Sequence, residues 1–194
     1  MLEFFYSLDL KLLYFINHTL SNPVFDAVMP LLRGKLTWIP LYLIIIYFII
    51  KKYGLKSVWV IGLALLTVLL ADRISAGLIK PYFERLRPCN NPEIQSWLNL
   101  PNGKGSGWSF VSSHATNHFA LAVYFIMVFI RHRGKYKIVI PFLSWAFLIA
   151  FAQVYIGFHY PSDVIAGGIL GSLIGYGVGK LNCLVLCYRS GKKV

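Results

Sequence analysis

Long apolar stretches without a single Asp, Glu, Lys or Arg constrain this sequence more than any other feature. Each approaches the roughly 17–25 residues that a helix needs to cross a bilayer. Five of them follow one another along the chain, at residues 36–50, 57–71, 115–130, 138–158 and 164–179. The sequence therefore predicts an all-α integral membrane bundle with five clear transmembrane helices.

The second stretch is predicted to continue as a helix to Ile79, because Asp72 and Arg73 can neutralise each other and apolar residues follow them. Residues 1–35 are apolar but carry scattered charges and two prolines, so we expect amphipathic interfacial or short membrane helices there, which leaves a sixth span open. The predicted organisation is an N-terminal segment at 1–35, a transmembrane domain at 36–188 and a basic cytoplasmic tail at 189–194.

The composition excludes several other classes of protein. Hydrophobic residues make up 57% of the chain and charged residues 13%, which is too apolar for a disordered chain or an ordinary soluble domain. The net charge of +12 would suit nucleic acid, but no basic run is interleaved with base-stacking aromatic residues. We therefore expect membrane lipids and no nucleic acid as partners.

Basic residues collect between the apolar stretches, at 51–56, 131–137 and 180–193. The positive-inside rule places these segments in the cytoplasm, so the segments 80–114 and 159–163 are predicted to face the opposite, extracytoplasmic side of a plasma or inner membrane. Cys89 would lie there alone, while Cys183 and Cys187 lie near the cytoplasmic end of the last helix. No disulfide is therefore expected.

Glycines recur every four residues in the last apolar stretch and give one helix face without side chains. Such a face lets a neighbouring backbone approach closely. Packing within the bundle is the interpretation that we favour, and a homodimer seam is the alternative. The glycines of this face are Gly167, Gly171, Gly175 and Gly179.

Alternating topology brings four reactive residues to one membrane surface. Lys80 ends the second stretch, His114 opens the third, His159 follows the fourth and Asp163 opens the fifth. The polar loop between the second and third stretches adds cations and glycines, namely Arg85, Arg87, Lys104 and the segment 103–107. Fixed cations stabilise the charge of a phosphoryl group in transfer, and histidines can act as nucleophile and as acid or base. This set therefore indicates phosphoryl chemistry.

A metal site is the competing interpretation, because two histidines and a carboxylate can bind zinc. His114 and His118 lie four residues apart on one helix face. The sequence lacks the Glu of a His-Glu-x-x-His pattern, and cations crowd the same surface. We therefore expect neither a metal nor another cofactor.

Three motifs resemble the type 2 phosphatidic acid phosphatase family, the membrane lipid phosphatases related to vanadium haloperoxidases. They are Lys80 with Arg87 and Pro88, then Ser112-Ser113-His114, then His159 with Asp163. The resemblance implies that His159 is the nucleophile, Asp163 its orienter and His114 the general acid and base, without a metal. It also implies that Lys80, Arg87 and Ser112 bind phosphate.

Two positions depart from the family pattern. Ser113 stands where the second motif usually has glycine, and Gln153 stands where an arginine is expected six residues before the nucleophile. Since 138–179 contains no Lys or Arg, either the site lacks this charge or a cation from another segment supplies it, namely Arg85, Arg73 or Lys104. We favour the second explanation, with Arg85 as the cation. The candidate phosphate-binding residues are therefore Lys80, Arg85, Arg87, Ser112, Ser113 and Gln153.

The sequence thus predicts a membrane lipid phosphatase or diphosphatase that acts through a phosphohistidine at the extracytoplasmic face. Candidate substrates are an isoprenoid diphosphate carrier, phosphatidylglycerol phosphate, a lipid A phosphate and phosphatidic acid, with a slight preference for the first because the chain is short. The alternatives are a lipid-binding or transport protein without catalysis and a vanadate-dependent peroxidase.

Overall fold

A computed structural model describes residues 2–34, 36–130 and 136–188, and every regular element in these ranges is helical. The prediction of an all-α bundle is confirmed. Eight α-helices build it: α1 Leu2–Tyr14, α2 Pro23–Arg33, α3 Ile39–Tyr53, α4 Ser57–Asp72, α5 Lys80–Phe83, α6 Ser113–Ile130, α7 Val139–Tyr155 and α8 Pro161–Tyr188. A π-helix, Arg73–Ile79, joins α4 to α5, so the second predicted stretch does continue as a helix to Ile79.

Within the described chain, three helical stretches are long and apolar enough to cross a membrane: Leu36–Asn90, Ser113–Ile130 and Pro161–Leu186. The first contains both α3 and α4, which are separated at Gly54, a glycine with a φ of 54°. α7 is a shorter apolar helix of 17 residues. It ends at Tyr155, three residues earlier than predicted, whereas α8 extends nine residues beyond the predicted end at 179.

Helix α6 is the centre of the bundle. The Tyr53 hydroxyl of α3 donates to the Val128 carbonyl near the end of α6, whereas the Tyr124 hydroxyl of α6 donates to the Val60 carbonyl near the start of α4. α3 therefore runs parallel to α6 and α4 runs antiparallel to it. The main hydrophobic core lies between these helices and α7, around Ile49, Tyr124 and Ile149.

The glycine face of α8 packs against α6 of the same chain. A Cβ atom added at Gly171 would meet the Thr116 carbonyl oxygen, and one added at Gly175 would meet the Ala120 carbonyl oxygen. This contact agrees with packing within the bundle, the interpretation that we favour from the sequence, and the homodimer through the same glycines stays a prediction. Close backbone approach thereby fixes the start of α6 beside the start of α8.

The N-terminal segment forms two short helices at the end of the bundle where α8 begins. α1 has 13 residues, α2 has 11, and neither is among the stretches long enough to span. Asp9 in α1 accepts a hydrogen bond from the Ser162 amide at 2.8 Å, and Asp26 in α2 accepts one from the Tyr155 hydroxyl at 2.7 Å. The division at residue 35 stays a prediction, and the basic tail at 189–194 lies outside the described residues.

Cys89 is fully buried beside Met29, Ile156 and Phe158. Cys89 is a free cysteine, and the side chain of Cys187 lies outside the described residues. The segment 131–135, which holds much of the second basic cluster, is likewise outside them.

Prediction: Gly171→Ala destabilises the bundle, because the new methyl group would overlap the α6 backbone. Overpacking of this kind costs about 1–3 kcal/mol. Gly177→Ala, on the same helix, is the matched control, because nothing lies within 4 Å of its added Cβ. We expect this control to be neutral or to stabilise by about 0.5–1 kcal/mol through helix propensity. Thermal unfolding in detergent measures both, and equal melting temperatures for the two variants would contradict the packing argument.

Candidate active site

His159 lies in the sharp turn between α7 and α8. Gly157, with a φ of 72°, lets the chain turn back on itself. The Gln153 carbonyl then accepts the amides of Phe158 and His159 at 3.1 and 3.2 Å, which ties the turn to the last turn of α7. His159 is only 2% exposed. Backbone hydrogen bonds thus hold His159, one of the predicted site residues, at the end of the bundle where α8 begins.

Asp163, in the first turn of α8, is fully buried and satisfied on both carboxylate oxygens. Its Oδ1 accepts from Arg85 Nη1 at 2.6 Å, and its Oδ2 accepts from the Tyr160 amide at 2.9 Å and from the Ser109 hydroxyl. His159 Nδ1 lies 3.5 Å from the same Oδ2. This pairing of His159 with Asp163 agrees with the spacing of the third motif.

The surroundings of the imidazole select one tautomer. Ser109 Oγ donates to Asp163, so it accepts from His159 Nδ1, which is 3.3 Å away. On the other side of the ring, Nε2 lies 3.3 Å from Arg87 Nη1, a group that only donates. The proton therefore sits on Nδ1 and the lone pair of Nε2 points toward a cation.

Burial lowers the pKa of His159 to about 4, and the positive charges of Arg87 and Lys80 act in the same direction, against the opposing effect of Asp163. A pKa below its ordinary value of about 6.5 means that the neutral ring dominates at pH 7. A neutral imidazole is the form that can act as a nucleophile.

Arg87 and Lys80 bring positive charge to Nε2 without a carboxylate of their own. Arg87 donates to the carbonyls of Phe158 and Gly107 at 3.3 and 3.2 Å, and Lys80 donates to those of Trp108 and Ser109 at 2.6 and 3.1 Å. Carbonyl oxygens orient these groups but do not neutralise them. Both of these predicted residues thus lie at the site, and neither forms an ion pair with a carboxylate of the described residues.

Arg85 is placed differently from Arg87. Its guanidinium contacts Asp163 at 2.6 Å and Asp9 at 2.7 Å, and it also donates to the Ser162 hydroxyl at 2.8 Å. Two carboxylates therefore already neutralise it. These contacts favour a bracing role for Arg85 behind Asp163, and its role as a phosphate ligand stays a prediction.

The two serines of the second motif differ in their contacts. Ser112 is buried at the start of α6, where its hydroxyl accepts the Ala115 amide at 3.4 Å and its own amide donates to the Asp163 carbonyl at 3.0 Å. The Ser113 hydroxyl is buried and has no hydrogen-bond partner among the described residues. Because the first amides of a helix also lack intrahelical acceptors, this end of α6 offers donors for an anion.

His114 is the second residue of α6, and its ring lies within 14° of parallel to that of His118, with the centroids 6.3 Å apart. His118 Nδ1 lies 2.8 Å from the His114 carbonyl oxygen, and its Nε2 lies 3.4 Å from the Tyr42 hydroxyl. Both nitrogens of His118 thus face protein groups, which disfavours the proposed metal pair. Among the described residues, no group of three or more His, Cys, Asp or Glu side chains comes together.

Gln153 lies under the His159 turn. Its side chain is 1% exposed, and neither Oε1 nor Nε2 has a hydrogen-bond partner among the described residues. The position where the family pattern has an arginine therefore holds a buried neutral amide. Its role in phosphate binding stays a prediction.

The glycine-rich loop packs on the aromatic ring of Phe158, next to His159. A Cβ at Gly105 would come within 2.9 Å of the Phe158 ring, and Asn90 Nδ2 donates to the Gly105 carbonyl at 2.7 Å. Lys104, the neighbouring cation, is exposed. The loop therefore covers Phe158 through Gly105 rather than presenting Lys104 to the site.

An apolar cavity of about 800 Å³ opens beside the second motif, between α3, α4 and α6. Its wall follows α6 from His114 to Phe125, about 16 Å at the helical rise of 1.5 Å per residue. Apolar side chains form most of the lining, whereas polar residues lie toward the His114 end. The polar residues are Arg33, Asp72, Ser113, His114, Asn117 and His118.

Three residues at the site were not found from the sequence. Ser109 lies outside the three motifs, Asp9 belongs to the N-terminal segment, and Arg33 ends α2. Asp9 could have been recognised from the sequence, because it lies inside the apolar run of 1–16 and a buried carboxylate needs a partner. Neither Ser109 nor Arg33 had a comparable signal.

Comparisons with known proteins agree with the motifs. The family described as the PAP2 superfamily matches residues 57–182. A lipid A 4′-phosphatase of Bacteroides thetaiotaomicron is 36% identical over 181 residues, which cover 91% of this chain and 77% of that protein. One of Porphyromonas gingivalis is 29% identical over 168 residues, covering 83% and 67%. The crystal structure of Aquifex aeolicus LpxE superposes with a TM-score of 0.64 at 25% identity, covering 89% of this chain and 95% of that one.

Proposed function

This chain belongs to the PAP2 superfamily, and on that premise we propose that it is a membrane lipid phosphatase that works through a phosphohistidine on His159. The observation that carries the proposal is the position of His159 Nε2, with its lone pair directed toward Arg87 Nη1 at 3.3 Å. The opposite nitrogen faces Ser109 and Asp163. The imidazole thus lies between its orienting carboxylate, at Nδ1, and a phosphate-binding cation, at Nε2.

In the first step, Nε2 attacks phosphorus and the bond between phosphorus and the lipid oxygen breaks. Asp163 and Ser109 stabilise the positive charge that develops on the imidazole through its Nδ1 proton. Arg87 and Lys80 stabilise the phosphoryl oxygens, aided by the donors at the start of α6. His114, the second residue of α6, gives its proton to the departing lipid oxygen.

In the second step, the neutral His114 takes a proton from water, and the water oxygen bonds to phosphorus as the bond from phosphorus to Nε2 breaks. Inorganic phosphate leaves and His114 is again protonated. The step needs only water as co-reactant, and neither a metal nor another cofactor takes part in the proposed cycle.

The substrate class follows from the cavity and from the relatives. An apolar cavity of about 800 Å³ whose polar end contains His114 suits an acyl chain attached to a phosphorylated head group. The relatives that cover 91% and 83% of this chain are both named lipid A 4′-phosphatase. We therefore propose a phosphate monoester on an acylated glycolipid such as lipid A, in place of the isoprenoid diphosphate that chain length alone favoured.

Prediction: His159→Ala lowers the release of phosphate from the preferred lipid by about 10⁴-fold or more, because no other group can accept the phosphoryl group. Purified protein is assayed against lipid A, phosphatidylglycerol phosphate, phosphatidic acid and an isoprenoid diphosphate. Rapid acid-free quenching with ³²P-labelled substrate should trap phosphate on His159, and mapping of the label to another residue would refute the mechanism.

His18→Ala is the matched control for this experiment, since it removes an exposed histidine that neither lines the cavity nor takes part in the proposed cycle. A chelator is added in parallel. Activity that disappears with chelator and returns with zinc would replace the phosphohistidine mechanism with metal catalysis.

Prediction: the site faces the extracytoplasmic side of the plasma or inner membrane, because the basic segments 51–56, 131–137 and 180–193 favour the cytoplasm. Lys104→Cys places a thiol on an exposed position of the glycine loop, while Cys89 is buried and should stay silent. An impermeant maleimide should label this variant on intact cells. Lys56→Cys, in a basic segment, is the control. Labelling of Lys56→Cys but not of Lys104→Cys would show that the topology is the reverse of the predicted one.

Prediction: filling the cavity weakens turnover of long-chain substrates selectively. Val68 lines the cavity, so Val68→Trp should lower kcat/KM for an acylated substrate by about tenfold or more while sparing a small water-soluble phosphomonoester. Val58→Trp is the matched control, because Val58 belongs to the same helix, is 71% exposed and does not line the cavity. An equal loss on both substrates would contradict the assignment of the cavity to the lipid tail.

A further inference from the structure

Arg33, the last residue of α2, points its guanidinium at the site from outside the three motifs. Its central carbon lies 4.4 Å from the centroid of the Phe158 ring, next to the nucleophile in sequence. Its Nε is buried and has no hydrogen-bond partner, and no ion pair joins Arg33 to any described residue. A buried donor without a partner is costly, so a ligand that supplies an acceptor is expected.

The helix that carries Arg33 is fixed to the end of α7. Asn22 caps α2 by accepting the Phe25 amide at 2.9 Å, and Asp26 accepts from the Tyr155 hydroxyl and from Asn99 Nδ2, each at 2.7 Å. These contacts hold α2 against the turn that carries His159. Arg33 is therefore preorganised and loses little freedom when it binds an anion.

Arg33 and Arg87 lie over the same ring, since the central carbon of Arg87 is 5.5 Å from the Phe158 centroid. The two guanidinium carbons are thus within about 10 Å of each other. Neither forms an ion pair with a carboxylate in the ranges 2–34, 36–130 and 136–188, whereas Arg85 contacts two carboxylates. Two neighbouring cations without a counter-ion repel each other in a half-buried site, and a phosphate dianion between them would remove that repulsion.

We propose that Arg33 binds the phosphate of the substrate together with Arg87, and that it supplies the positive charge absent at the neutral Gln153. This inference rests on the proposed function. Arg33 also lines the apolar cavity along with Ser113 and His114. It therefore lies where the phosphate of the head group meets the acyl chain.

The test compares three substitutions at position 33 in the full-length purified protein. Arg33→Ala and Arg33→Met remove the charge, and Met keeps the length that packs on Phe158, whereas Arg33→Lys keeps the charge. We expect Ala and Met to lower kcat/KM for the lipid phosphate about 10- to 100-fold, as for loss of a charged hydrogen bond, with Lys in between. Lys104→Ala, which removes an exposed cation from the same surface, should stay within about twofold of wild type.

A second measurement separates this inference from the reaction itself. Orthovanadate adopts the five-coordinate geometry of a phosphoryl group in transfer, so its affinity reports on the oxyanion site without turnover. The affinity for vanadate, measured from thermal stabilisation over a range of vanadate concentrations, should fall about tenfold or more in Arg33→Met. This inference is overturned if Arg33→Met keeps wild-type vanadate affinity and kcat/KM while His159→Ala is inactive. Vanadate binding that depends on Arg33 in a protein without turnover would uphold this site and overturn the proposed function.

Discussion

The buried carboxylate of Asp163 organises the polar end of this membrane bundle. A carboxylate that is fully removed from solvent must be paired and hydrogen-bonded to remain ionised. Asp163 meets this requirement with groups from three separate parts of the chain, namely Arg85, Ser109 and the Tyr160 amide. Its own backbone carbonyl accepts the Ser112 amide, which ties the start of α8 to the start of α6. The orientation of His159 follows from the same network.

Charge at this site is divided between neutralised and free cations. Arg85 lies between Asp9 and Asp163, where two carboxylates compensate it and where it fixes α1 to the bundle. Arg87 lies at His159 Nε2 and Arg33 lies over the neighbouring Phe158 ring, and neither forms an ion pair with a carboxylate in the part of the chain that the structure describes. Because a phosphate dianion needs compensating charge that the protein does not already use, the second group is the one suited to bind substrate.

The packing of the membrane helices serves this arrangement. Gly171 and Gly175 let α8 approach the backbone of α6, so the helix starts that carry Asp163 and His114 come together. On the other side of α6 the helices α3 and α4 leave an apolar cavity that reaches the same helix start. Helix α6 thus has a close-packed face, which fixes the geometry of the candidate site, and an opposite face that borders the apolar cavity.

The sequence by itself determined the helical membrane architecture, since uncharged apolar stretches of this length have few other stable forms in lipid. It also determined the three motifs, because His159 and Asp163 are only four residues apart, and Lys80 and His114 lie at the two ends of the loop that contains Arg87. Tertiary structure alone decided the rest. Asp9 and Arg33 contact residues that lie more than 70 positions away in the sequence. Ser109 contacts Asp163 from a loop. Contacts of this kind have no periodicity in sequence, because they depend on how α1 and α2 fold back over the end of the bundle.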